Sequence, residues 1–69
     1  MNTELIEPQP LQLLKIRQVM AITALPKSTL YKYCSDDTFP KPVHLGPRNV
    51  AWVAGEVQAW IRQKMEQRR

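Results

Sequence analysis

Apolar and polar side chains recur along this chain in two rhythms, one typical of helices and one typical of strands. Residues 17–24 have helical spacing, which ends at Leu25-Pro26 because proline lacks the N–H that a helix interior needs. Proline is accepted in a first turn, so a second helix is predicted from about Pro26 to Ser35 or Asp36. A last helix is predicted over residues 54–67, with an apolar stripe at Val57, Trp60, Ile61 and Met65 that closes the core.

Strand-like alternation lies between the second and last helices. The apolar positions are Val43 and Leu45 on one side, and Val50 and Trp52 on the other, of Gly46-Pro47-Arg48-Asn49. This pattern predicts two half-buried strands joined by a four-residue turn. The apolar run at residues 11–16 predicts a short extended segment that pairs with the hairpin as a third strand, although such a run does not by itself separate strand from helix.

These elements predict a mainly helical fold with a small β-hairpin wing, that is, a winged helix-turn-helix of three helices and two or three short strands. With 69 residues the chain forms one domain with a thin core. Residues 1–10 contain Pro8 and Pro10 and few apolar side chains, so they are predicted to be a disordered lead-in. The domain is predicted to cover residues 11–69.

The second helix divides into two faces. Leu30, Tyr33 and Cys34 share one face at i, i+3, i+4 spacing and are predicted to point inward. Hydrogen-bonding and cationic side chains occupy the rest: Lys27, Ser28, Thr29, Tyr31, Lys32 and Ser35. Any solvated helix shows such a face, but in a helix-turn-helix the second helix enters the DNA major groove with its N-terminal residues nearest the bases.

Several functions are excluded by what the chain lacks. One cysteine and one histidine supply neither a disulfide nor a zinc-ligand set, and Cys34 has no general base beside it in sequence. We expect no catalysis, cofactor or metal, with Cys34 in the core and His44 on the solvent-facing rim. No apolar run reaches the length of a membrane span and no signal peptide is evident, so a cytoplasmic, nucleoid-associated protein is expected.

Charge favours a polyanionic partner. The net charge is +4 and the isoelectric point is about 9.7, while the first ten residues carry Glu4 and Glu7 and no basic side chain. Arg48 lies at the predicted hairpin tip, where a guanidinium can contact a phosphate or a narrow minor groove. The alternative for Arg48 is a solubilising charge, and for Trp52 and Trp60 burial is favoured over base stacking.

Four motifs in this order resemble the AlpA family of small prophage transcriptional regulators. They begin at Leu14-Lys15-Ile16-Arg17-Gln18-Val19, continue at residues 23–31 and 39–52, and end at Glu56-Val57-Gln58-Ala59-Trp60-Ile61. The combination of Ser-Thr-Leu-Tyr, Phe-Pro-Lys-Pro-Val and the late Glu-Val-x-x-Trp-Ile is specific, whereas each alone is weak. The resemblance covers residues 11 to about 64.

The resemblance implies a winged helix-turn-helix related to excisionases and to the MerR-type DNA-binding head. It implies that double-stranded DNA is contacted in the major groove by the recognition helix and at the backbone or minor groove by the wing. The implied contacts are Lys27, Ser28, Thr29, Tyr31 and Lys32 in the recognition helix, and Lys41 and Arg48 in the wing. Three departures from the family pattern put local helix stability in question: Ala24 for the usual Gly, Pro26 for a capping Ser, and Ala54-Gly55 for polar residues.

Two mechanisms remain open within this interpretation, because both need only binding to DNA. One is transcriptional regulation of integrase or excision genes of a mobile element. The other is architectural: the protein bends an attachment site so that a recombinase can assemble. The partner on DNA is then the recombinase or a second copy of this chain. A third alternative belongs to another functional class: a protein-interaction adaptor or small enzyme inhibitor that uses the same basic face to bind a protein.

Overall fold

A computed structural model describes residues 11–68, so the predicted lead-in at residues 1–10 lies outside the described residues. Within that range, residues Leu13–Leu14 form strand β1, Val43–Gly46 form β2 and Asn49–Val53 form β3. Residues Ile16–Thr23 form helix α1, Lys27–Ser35 form α2 and Ala54–Gln67 form α3. The predicted mainly helical fold with a hairpin wing is confirmed.

The three strands form one antiparallel sheet with β3 in the centre, in the order β1-β3-β2. Leu14 lies opposite Trp52 in one strand pair, and Val43 lies opposite Ala51 in the other. The predicted third strand is therefore confirmed, although it is only two residues long. The residue before β1 also bonds to the start of α3: the carbonyl of Gln12 accepts the backbone N–H of Ala54 at 2.8 Å.

The core draws one large side chain from each helix and from the central strand. Val19 of α1, Leu30 of α2, Trp52 of β3 and Val57 of α3 are completely buried. The inward face predicted for α2 is confirmed, because Leu30 and Cys34 are buried and Tyr33 packs against the same cluster. The fold thus depends on apolar contacts between elements that are individually too short to be stable alone.

The predicted four-residue turn is present at Gly46–Asn49: its outer residues pair with each other at the ends of the two strands, and Pro47 and Arg48 are its central residues. The hairpin differs from its prediction in the burial of β2. Val43 and Leu45 are 39% and 49% exposed and do not anchor the wing, because β2 is an edge strand whose apolar side chains have no covering element.

Two apolar helix residues also lie outside the core. Met65 is exposed, because α3 continues for 14 residues and its last turns pass beyond the packed elements. Ile22 is exposed near the end of α1, and Ala24 lies beyond that helix.

Trp60 is only half-buried, but its ring packs edge-on against Phe39 at 4.9 Å between centroids, and its indole N–H donates to the Thr38 carbonyl at 2.7 Å.

The turn between α1 and α2 carries a strained residue. Ala24 has φ 62° and ψ 22°, and its N–H donates to the Met20 carbonyl at 2.8 Å. This is a left-handed helix end, a conformation in which glycine avoids the steric cost of a Cβ atom. The resemblance implied a glycine here, and the geometry gives the physical reason.

Replacing Ala24 by Gly should stabilise the domain. The strain removed is roughly 1 to 2 kcal/mol, and the added flexibility of the unfolded chain costs roughly 0.5 to 1 kcal/mol. The free energy of unfolding should therefore rise by about 0.5 to 1 kcal/mol and the melting temperature by roughly 2 to 8 °C. Thermal and urea unfolding measure this. The matched control, Ala21→Gly inside α1, should be destabilising, and equal destabilisation by both variants would contradict the assigned strain.

Cys34 should be protected from thiol reagents in the folded protein. It is buried, and its Sγ lies 3.5 Å from the carbonyl oxygen of Pro40. We expect reaction with a bulky thiol reagent to be at least about a hundredfold slower under native conditions than in denaturant, because a fold of a few kcal/mol must open first. Cys34 is the only cysteine, so the signal is unambiguous. Rapid labelling of the native protein would mean that α2 is rotated from its assigned face.

Candidate nucleic-acid interface

The N-terminal turn of α2 presents three polar residues together. Pro26 occupies the position before the helix with an extended backbone, φ −70° and ψ 160°, and provides no side-chain cap. The first intrahelical bond runs from the Leu30 N–H to the Pro26 carbonyl at 3.0 Å. The N–H groups of Lys27, Ser28 and Thr29 precede that bond, so helical geometry gives them no acceptor within α2.

Lys27 and Ser28 are exposed and Thr29 is half-buried. A helix N-terminus carries a partial positive charge, and Lys27 adds a full one. The hydroxyl groups of Ser28 and Thr29 can both donate and accept hydrogen bonds. This end of α2 therefore combines attraction for an anion with groups that can hydrogen-bond to base edges.

The side chain of Thr23 connects the end of α1 to the turn that precedes α2. Its hydroxyl donates to the Val19 carbonyl at 2.7 Å and accepts the N–H of Leu25 at 3.3 Å. Three residues, 24–26, then separate the two helices. Two helices joined by so short a connection form the helix-turn-helix unit predicted from the sequence.

Tyr31 connects α2 to the centre of the sheet. Its ring lies 6.1 Å from that of Trp52 between centroids, tilted by 58°. Because Trp52 is completely buried, it forms a fixed support for a tyrosine that remains 41% exposed. Contact with this support restricts the side chain of Tyr31 before any partner binds, which reduces the entropy it would lose on contacting one.

Lys41 was assigned to the wing, but it lies before β2 and forms an ion pair with Asp37, the residue after the Asp36 that pairs with Lys32 of α2. Lys32 Nζ is 3.4 Å from an Asp36 carboxylate oxygen. Lys41 Nζ is 2.9 Å from an Asp37 carboxylate oxygen. The sequence indicated only a turn at Asp36-Asp37, so these pairings were not foreseen. For Lys32 and Asp36 the i, i+4 spacing at the end of a helix was an available signal. Asp37 and Lys41 lie beyond α2, where that spacing predicts no contact.

Arg48 lies at the tip of the wing with a left-handed backbone. It is exposed and has φ 58°, directly after Pro47. Proline followed by a residue with positive φ is the pattern of a type II turn, where the second position usually holds Gly or Asn. An arginine there costs roughly 1 to 2 kcal/mol relative to a relaxed backbone. Stability of the turn therefore does not explain the arginine.

Lys15 was not identified from the sequence, yet it ties the wing to the body of the domain. Its Nζ donates to Asn49 Oδ1 at 2.6 Å and lies 3.4 Å from the Val50 carbonyl oxygen. Its own backbone N–H is accepted by Gln18 Oε1 at 2.8 Å at the start of α1. The two ends of this bridge are 34 residues apart, so no local spacing could have indicated it.

The structure places the predicted contact residues in three groups, whereas the resemblance implied two, the recognition helix and the wing. Lys27, Ser28 and Thr29 lie at the start of α2, Lys32 and Lys41 at its end, and Arg48 on the wing tip; Tyr31 lies between the two ends of α2. With nine residues and about 1.5 Å per residue, α2 is about 13 Å long. The diameter of an α-helix with its side chains, about 10 to 12 Å, fits the width of a DNA major groove, about 12 Å.

Other chemistry finds little support in residues 11–68. Across this part of the chain, no three His, Cys, Asp or Glu side chains lie close enough together to hold a metal ion. None of the helices described is both long and apolar enough to cross a membrane. His44 is exposed on β2, as predicted. An open groove between α3 and Pro40-Lys41 mixes acidic and basic side chains and has no buried reactive group.

Comparison with known proteins agrees with the resemblance seen in the sequence. The family model described as prophage CP4-57 regulatory protein (AlpA) matches residues 12–65. The uncharacterised protein ORF88 of Enterobacteria phage P4 is 42% identical over 48 residues, which cover 70% of this chain and 54% of that protein, so the chain spans about half of its length. The DNA-binding transcriptional activator AlpA of Escherichia coli K12 is 29% identical over 59 residues, covering 77% of this chain and 84% of that protein. This chain belongs to the AlpA family of prophage regulatory proteins.

Proposed function

We propose that this chain is a site-specific DNA-binding transcriptional regulator of a prophage or other mobile element, with control of integrase or excision genes as its role. One observation carries the proposal: the second helix of a helix-turn-helix exposes Lys27 and Ser28, with half-buried Thr29, at an N-terminus without a side-chain cap. The E. coli relative is named a DNA-binding transcriptional activator, which supports the same role here. Catalysis by the chain itself is not part of this function.

The proposed mode of binding uses two elements. The N-terminal turn of α2 reads base edges in the major groove, where each base pair presents a distinct pattern of donors and acceptors. Arg48 contacts the backbone or minor groove beside that site, and Lys32 and Lys41 contact phosphates. Tyr31, which packs against Trp52, is a further contact from α2. Lys15 has a supporting role, because it holds the strand that follows the wing tip.

Two experiments separate this function from the alternatives. Binding to a mixed-sequence duplex should weaken steeply with salt, because counterions are released from each neutralised phosphate. A protein adaptor should scarcely bind that duplex at any salt concentration. Genome-wide immunoprecipitation of the tagged protein with footprinting of its strongest site then distinguishes the DNA roles. Occupancy of an integrase promoter supports regulation, and occupancy of an attachment site supports an excision factor instead.

Replacing Ser28 and Thr29 together by Ala should remove sequence discrimination. Affinity for the footprinted site should fall by about 1 to 3 kcal/mol, while affinity for mixed-sequence duplex should hardly change, because the lost hydrogen bonds are to bases. Titration of both duplexes at one salt concentration measures this. Ser35→Ala, at the other end of the same helix, is the matched control and should behave as the unmutated protein. Equal loss on both duplexes would show that the N-terminal turn of α2 does not read bases.

Replacing Arg48 by Gly should separate its charge from its backbone strain. Affinity for all sequences should fall by about 1 to 2 kcal/mol, and the slope of log affinity against log salt should flatten by about one unit. The melting temperature should rise, because Gly adopts φ 58° without strain. Arg48→Lys should keep most of the salt slope, and Arg48→Ala should lose affinity as Gly does. An unchanged affinity and slope in the Gly variant would remove the wing from the interface.

A further inference from the structure

Two consecutive acidic residues hold two of the proposed DNA-contacting lysines. Asp36 pairs with Lys32, four residues before it, and Asp37 pairs with Lys41, four residues after it, at 3.4 and 2.9 Å. Asp36 is the C-cap of α2 and Asp37 follows it directly, so both carboxylates belong to the turn that ends this helix. Each lysine that would contact a phosphate therefore already has a carboxylate partner within the chain.

Neither ion pair contributes much to the stability of the fold. The four side chains are between 51% and 74% exposed. Pairs as exposed as these change stability by a fraction of a kcal/mol in most proteins, because water screens the charges and both side chains lose freedom. The same exposure means that each lysine can exchange its carboxylate for another anion at little cost.

The turn itself does not require carboxylates. Asp37 has φ 63°, with its N–H donating to the Cys34 carbonyl at 3.2 Å and the N–H of Thr38 donating to the Tyr33 carbonyl at 2.9 Å. These backbone bonds form a Schellman motif, in which Gly or Asn is usual at the left-handed position. Asp36 occupies the C-cap, where the negative end of the helix dipole disfavours a carboxylate. Asparagine would suit both positions at least as well.

We propose that Asp36 and Asp37 compete with DNA phosphates for Lys32 and Lys41, so that the acidic turn is a built-in restraint on backbone binding. The inference rests on the proposed function, since it needs DNA as the partner. In free protein the carboxylates neutralise both lysines; on DNA each lysine must leave its carboxylate, which then repels the phosphate that replaces it. The base-reading residues at the other end of α2 are not involved, so the restraint acts on sequence-independent affinity.

The test compares Asp36→Asn, Asp37→Asn and the double variant with the unmutated full chain on a mixed-sequence duplex. Affinity should rise roughly two- to fivefold for each aspartate removed, which corresponds to the strength of an exposed ion pair. The salt slope should steepen by about one unit for each lysine released. Unfolding curves should show that each variant folds with unchanged or slightly higher stability.

Two controls separate competition for these lysines from a change in total charge. Glu66→Gln removes one negative charge from an exposed position on α3 and should raise affinity less than either Asn variant. In a background with Lys32→Gln, Asp36→Asn should lose most of its effect, while Asp37→Asn should keep it. Such a cycle isolates the interaction between the paired residues.

The outcomes distinguish failure of the inference from failure of the proposed function. If the unmutated chain shows no salt-dependent binding to any duplex, DNA is not its partner and both proposals are overturned. If it binds but the Asn variants match Glu66→Gln, or keep their gain without the lysines, the restraint is refuted and DNA binding stands. Weaker binding by the Asn variants would also refute it, since the aspartates would then support the DNA contact.

Discussion

The complete burial of Trp52 is the contact on which the other parts of this domain depend. It lies in the central strand opposite Leu14, and its indole N–H donates to the Pro40 carbonyl at 3.0 Å. The same carbonyl oxygen lies 3.5 Å from Cys34 Sγ, so one backbone group links the sheet to α2 and to the loop before the wing. In a chain with so little core, a single large side chain can set the positions of several elements.

The proposed DNA-binding groups are connected to this centre by side chains at the edge of the core. Tyr31 rests on Trp52, and Trp60 holds the loop at Thr38 through its indole N–H. Lys15 bridges from the start of α1 to Asn49, next to the wing tip. Charged groups therefore lie at the periphery, where they can exchange partners, while their supports are anchored in the core. Affinity for a polyanion can change in such an arrangement without a change in the fold.

Much of this architecture was predictable because local patterns determine it. Proline at position 26 separates the two helices, and i, i+3, i+4 spacing identifies Leu30 and Cys34 as the buried face of α2. The exposure of Val43 and Leu45 was not predictable from alternation, since the pattern is the same whether or not another element covers the strand. Nor could the bridge from Lys15 to Asn49 be predicted, because it depends on how two distant segments pack.

Local stability and the proposed interface are in conflict at several positions of this chain. Arg48 keeps a left-handed backbone that glycine would relax, and Asp36 places a carboxylate at the negative end of a helix. Pro26 leaves the N–H groups at the start of α2 without a side-chain acceptor, which costs about 0.5 to 2 kcal/mol relative to a good cap. At Arg48 and Pro26 the local cost leaves a charge or a set of hydrogen-bond donors available to a partner. At Asp36 the carboxylate restrains a lysine in the proposed mechanism. Ala24 differs, since its strain leaves no such group available and is local to the turn. Strain combined with exposed charge is therefore the more informative sign of function in this fold, because strain by itself also occurs where no partner is proposed.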